Sequence, residues 1–95
     1  MVSGVRLKNL AYGESTHMTE VRLDRGATVP LHAHPHEQTG YLITGRLDFT
    51  IGATRVVAEP GDSWSIPGNV EHGVEVLEAA VVVEVFSPPR EDYLA

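Results

Sequence analysis

Cysteine is absent from this 95-residue chain. Disulfides, thiolate metal ligands and a cysteine nucleophile are therefore excluded, while the redox compartment stays open. Long apolar runs are also lacking. None approaches the roughly 20 residues of a membrane span, and the N-terminal stretch MVSGVRLKNL has no signal-peptide core. A cytoplasmic address with no membrane partner is expected. Basic residues are scarce: 7 Lys and Arg stand against 13 Asp and Glu, for a net charge of −6. Nucleic acid, which needs a basic face, is excluded as a partner on that ground. Helix signals are nearly missing too, because no stretch sustains a 3.6-residue apolar period over three turns.

What is present is strand composition. Valine, threonine and isoleucine are frequent, and glycine or proline recurs every roughly 8 to 15 residues. The pattern predicts many short strands in one all-β domain, residues 1–95, near the small end of what folds alone. Strands are expected at about 5–11, 16–23, 28–34, 38–44, 46–51, 54–58, 62–66, 72–77 and 79–86. Gly45-Arg46 reads as a tight reversal between the fourth and fifth. Pro60-Gly61-Asp62 and Pro67-Gly68-Asn69 read as turns.

Histidine carries the chemistry. His32 and His34 are two residues apart, and residues i and i+2 of a strand share a face about 7 Å apart. Two such imidazoles can converge on one ion at about 2 Å each. Gln38 lies too far along a straight strand to join them, but Pro35-His36-Glu37 is a plausible bend. His72, after the Pro67 turn, would enter from another strand. Glu37 is the alternative to Gln38, disfavoured by strand parity. His36 is expected at the rim, His17 on the surface, and Trp64 in the core or the cavity wall.

The framework resembles the cupin superfamily over nearly the whole chain. The first cupin motif, G-x5-H-x-H-x3/4-E-x6-G, reads here Gly26, His32, His34, Gln38 in the glutamate position, and Gly45. The second, G-x5-P-x-G-x2-H-x3-N, reads Gly61, Pro67, Asn69 where glycine is usual, His72, and Val76 where asparagine is usual. The resemblance implies a single-domain antiparallel β-barrel of jelly-roll type. It also implies one divalent transition metal held by His32, His34, Gln38 and His72. Imidazole and amide ligands suit Mn, Fe, Co, Ni or Zn alike. A glutamine in place of glutamate leaves such a centre at +2 rather than +1, which favours an anionic oxygen ligand.

The most apolar segment is Ala79–Phe86. Val81, Val83 and Val85 form one face, and Val82, Glu84 and Phe86 the other. Glu84 either faces solvent or sits in a wet cavity, because a lone carboxylate is costly to bury. In the second case it is a general acid/base candidate with a raised pKa. The run from Glu84 to Leu94 resembles the C-terminal end of one cupin subgroup, the pectin-degradation cupins, which open unsaturated uronates. That subgroup also has the HPHEQ run and a glutamine ligand. In it an aspartate, a phenylalanine and an arginine line the cavity, at positions corresponding to Glu84, Phe86 and Arg90.

The expected function is therefore a small metalloenzyme acting on an anionic sugar acid. It would convert a 4,5-unsaturated uronate to the open-chain 4-deoxy-5-keto uronate. Glu84 would move the proton, Arg90 would grip the carboxylate and Phe86 would wall the pocket. The alternatives are a non-catalytic ligand-binding cupin or sensor subunit, and a metal-dependent dioxygenase. A homodimer is expected from the small core and the apolar strand at 79–86.

Overall fold

The computed structural model describes residues 2–94. Seven strands run in order: β1 (Val5–Tyr12), β2 (His17–Leu23), β3 (Thr28–His32), β4 (Glu37–Ile51), β5 (Thr54–Ala58), β6 (Ser63–Ile66) and β7 (His72–Ser87). A single turn of helix, α1 (Glu91–Leu94), follows. All pairings are antiparallel.

Two of the expected boundaries inside strands do not exist. The segments 38–44 and 46–51 are one strand, β4, and the segments 72–77 and 79–86 are one strand, β7. Gly45 does not reverse the chain. It has φ +97° and sits where the β4–β7 register slips between Leu42 and Leu47. A turn and a bulge both call for a residue tolerant of positive φ, so the local sequence reads the same for either.

The bend divides each long strand between two sheets. The first halves of β4 and second half of β7 pair together, with β6 beyond β4 and with β2 and β1 beyond β7. The remaining halves pair together, with β5 beyond β4 and β3 beyond β7. The result is a jelly roll of two facing sheets that share two bent strands. Its hydrogen bonding does not close into a full barrel, since β1 and β3 are edges with no pairing between them.

Alternation along the strands builds the core. In β4, Leu42, Leu47 and Phe49 are buried, and in β7, Val76, Ala80, Val82 and Phe86 are buried. All but Phe86 pack with Leu23, Ala58 and Ile66 in one cluster, and the half-buried Trp64 lies against it with its ring 4.8 Å from Phe49. Val76, where the cupin motif usually has asparagine, is a core residue. On the outer face Val81, Val83 and Val85 are half-buried.

The crossing of the two bent strands leaves no room at Gly45. A Cβ there would overlap the carbonyl oxygen of Ala79 and the backbone of Ala80. Gly61 also has positive φ, +94°, but has open space around it. Urea unfolding is expected to show Gly61→Ala costing about 1 kcal/mol, the strain of positive φ alone. Gly45→Ala is expected to cost at least about 3 kcal/mol, strain plus backbone overlap. Equal costs would show that the crossing relaxes easily.

Candidate metal centre and its cavity

His32 closes β3 and pairs directly with His72, the first residue of β7. His34 is not on β3, which ends at His32; it lies in the turn leading to β4. Strand parity therefore does not bring it to His32. A docked pair of turns does. The Asn69 N–H donates to the His34 carbonyl at 2.7 Å, and Gly68 packs so closely on the Pro35 carbonyl that a Cβ would overlap it. Asn69 has φ +66°, which explains why glycine is usual there and why asparagine substitutes.

The three imidazoles offer ring nitrogens all within 4.8 Å of one another. Nitrogens about 2.1 Å from one ion lie roughly 3 to 4.2 Å apart, inside that limit. Each Nδ1 donates to a backbone carbonyl: His32 to Pro30 at 2.9 Å, His34 to His36 at 3.0 Å and His72 to Val70 at 2.9 Å. A carbonyl only accepts, so each Nδ1 carries a proton, and Nε2 is the atom with a free lone pair when the ring is neutral. The His72 Nε2 is buried with no partner. Burial also holds the His34 and His72 pKa values below the ordinary range, with Arg90 adding to the effect at both. The three imidazoles could hold a metal ion, and the backbone carbonyls are the orienting partners such ligands need.

Gln38 begins β4 beside them and is buried. Its Oε1 lies 3.1 Å from His34 Nε2, and its Nε2 donates to Glu84 Oε2 at 2.8 Å. Two acceptors 3.1 Å apart repel each other unless a cation lies between them, and about 3 Å is the spacing of adjacent ligands on one ion. The donor set thus fits a divalent metal. Glu37 is exposed and directed away. His36 contributes its carbonyl to His34, while its own Nδ1 has no partner.

Glu84 is buried on the inner face of β7, so the cavity alternative for this residue holds and the solvent alternative does not. Burial pushes its carboxyl up to about 7, against the pull of Gln38 and of the nearby Trp64 N–H. The indole nitrogen itself has no partner of hydrogen-bond geometry. Gly40 makes this arrangement possible, because any Cβ there would strike both Trp64 and Glu84.

Arg90 is held by features that no short motif announces. Its Nε and Nη2 donate to Asp92 at 3.0 and 2.9 Å, and its guanidinium stacks on Phe86 and Tyr93. Asp92 takes one edge of the fork, leaving Nη1 and one hydrogen of Nη2. His17, expected on the surface, is instead fully buried. Its Nδ1 accepts from the Arg90 backbone N–H at 3.2 Å, and its Nε2 donates to Asn9 Oδ1 at 2.8 Å. Asn9 in turn donates to the Tyr93 carbonyl at 2.9 Å. These contacts join positions 9 and 17 to the tail, and nothing in the local sequence signals them.

His32, His34, His72, Gln38, Glu84, Phe86 and Arg90 all line one cavity of about 360 Å³ between the sheets. Residues 19–86 match the cupin domain family. The chain belongs to the cupin family. The pectin degradation protein KdgF of Dickeya dadantii strain 3937 is 30% identical over 93 residues, 96% of this chain and 84% of that protein. The structure of KdgF from Halomonas sp. superposes on this cupin with a TM-score of 0.92 at 31% identity, covering 96% of this chain and 86% of that one. An RmlC-like cupin from Shewanella frigidimarina NCIMB 400 superposes with a TM-score of 0.91 at 29% identity, covering 95% and 81%.

Two measurements probe this centre. His72→Ala is expected to weaken transition-metal affinity more than about a hundredfold, beyond the cost of losing an orienting partner alone. Metal analysis after dialysis reads this, with circular dichroism confirming the fold. Glu84 carries a raised folded-state pKa, so its contribution to stability is full below about pH 4.5 and is lost as pH rises toward about 7. In metal-free protein, Glu84→Gln is therefore expected to gain on the parent across that window, by on the order of 3 kcal/mol. A difference that stays flat with pH would show that Glu84 titrates normally.

Proposed function

We propose that this cupin is a metal-dependent enzyme that opens a 4,5-unsaturated uronate to the 4-deoxy-5-keto uronate. The observation that carries the reading is the link from the histidine cluster through the Gln38 amide to the buried Glu84 carboxylate. A protic group and a cation site face the same cavity as Arg90 and Phe86. Likeness to the pectin degradation protein KdgF supports the substrate class.

His32, His34, His72 and Gln38 would hold the metal, and a bound divalent ion would supply Lewis acidity and orientation for substrate oxygens. With a neutral fourth ligand the centre keeps its full +2 charge, which suits an anionic substrate. The free edge of the Arg90 fork would pair with the substrate carboxylate. Asp92 and the Phe86 and Tyr93 rings hold that fork in place. An unsaturated ring carries no hydroxyl at C4, so the flat face of its C4–C5 double bond, beside the C5 carboxylate, suits packing against Phe86.

The reaction is an isomerisation. The anomeric hydroxyl loses its proton, the ring C1–O bond breaks and C4 gains a proton as the C5 ketone forms. One proton leaves and one arrives, so a single acid/base group can serve both steps. Glu84, poised at about 7, has the proton affinity for either direction near neutral pH.

Loss of unsaturated-uronate absorbance with metal-loaded protein tests this reading. Acceleration over spontaneous opening is expected. Glu84→Gln should lower kcat about 10²- to 10⁴-fold at unchanged metal content. Arg90→Ala should raise KM roughly 10- to 100-fold, the worth of a charge-assisted hydrogen bond. No acceleration by the parent protein would leave a non-catalytic ligand-binding cupin, and oxygen uptake with a redox-active metal would indicate a dioxygenase.

A further inference from the structure

The groups with chemistry occupy only part of the cavity. The rest of its lining is mainly apolar and is supplied by β1, β2, β3, β4 and β7. Leu7 on β1 pairs with Val21 on β2, and Val21 pairs with the buried Val82 on β7, making one apolar row across the first sheet. Val29 on β3 pairs with Val74 on β7, and Val74 pairs with the buried Phe49 on β4, making a second row across the other sheet. All six side chains line the cavity. Leu7, Val21, Val29 and Val74 point inward yet remain half-exposed. They line the cavity, and β1 and β3, which carry Leu7 and Val29, are not hydrogen-bonded to each other.

A sugar acid leaves these rows unexplained. Its hydroxyls would meet a wall without donors or acceptors, and burying them unpaired is unfavourable. Water against aliphatic side chains is readily displaced by an apolar group, with a gain in affinity. The polar end is matched to an anion by Arg90 and, with a divalent ion bound, by the centre the imidazoles would hold. Together the two ends describe an amphiphilic anion.

We propose that the aliphatic end of the cavity is a hydrocarbon subsite, so that the protein binds medium-chain monocarboxylic acids with the carboxylate toward Arg90 and the histidines. This goes beyond the uronate reading and does not depend on any turnover.

Isothermal titration of the metal-loaded full chain with butanoate, hexanoate and octanoate tests it. Each added pair of methylenes is expected to tighten binding by roughly tenfold, the transfer value for buried hydrocarbon. Val21→Thr keeps the side-chain shape but adds a hydroxyl to the wall. It is expected to shrink the hexanoate-to-octanoate gain several-fold while metal content and butanoate affinity hold. Val29→Thr provides an independent change on β3 of the facing sheet and should act in the same direction. Equal affinity along the series would overturn the proposal. So would gains that survive both substitutions, because the chain would then lie on another surface. Uronate turnover is not read in this titration. A flat series from a protein that opens uronates sinks only the subsite, and a graded series from an inactive protein sinks only the uronate reading.

Discussion

The antiparallel pairing of β4 with β7 is the constraint on which the rest depends. The two strands pair from Glu37–Ser87 to Ile51–His72 and bend together at Gly45, so each serves both sheets. Because β7 bends, its first residue, His72, and its later residues Glu84 and Phe86 line the same cavity. A straight strand would hold residues 72 and 84 about 40 Å apart. The pairing also sets Gln38 against Phe86 and Gly40 against Glu84. A side chain at position 40 would displace the carboxylate. The histidine cluster and the acid are therefore two outcomes of one strand register.

Electrostatics at this centre rest on a neutral amide in an unusual place. Gln38 presents oxygen to the histidines and N–H to Glu84. A glutamate at that position would set two carboxylates side by side in a buried site, where both cannot be ionised at low cost. The amide instead satisfies both neighbours. It donates to the carboxylate, and its oxygen faces the cation site. The departure from the commoner glutamate and the presence of Glu84 are thus linked through one hydrogen bond.

The C-terminal tail is built into the cavity wall by polar contacts. Asn9 and His17 reach the backbone of Tyr93 and Arg90, while Asp92 and two aromatic rings hold the guanidinium. Hydrogen bonds from buried, correctly oriented groups fix a chain end that has only one helical turn of its own. Burial lowers the His17 pKa, with the Arg90 charge adding to it, and Nδ1 accepts from the Arg90 backbone N–H.

Much of this was legible in the chain. Alternation of apolar and polar residues located nearly all the strands, because a two-residue period leaves few other ways to bury one face. Histidine spacing and the glycine and proline framework pointed to His32, His34, Gln38 and His72, because metal-site chemistry constrains residue type locally. Two boundaries were not legible, since Gly45 suits a turn and a bulge equally. The place of His17 and the partners of Arg90 were not legible either, because the groups involved lie 73 residues apart in sequence. Glu84 shows the division most plainly. Its residue type and its apolar neighbours marked it as either a surface carboxylate or a cavity one. Only the tertiary structure decided between them, because burial is a property of what packs across a strand, and here the facing sheet, Trp64 and Gln38 enclose it.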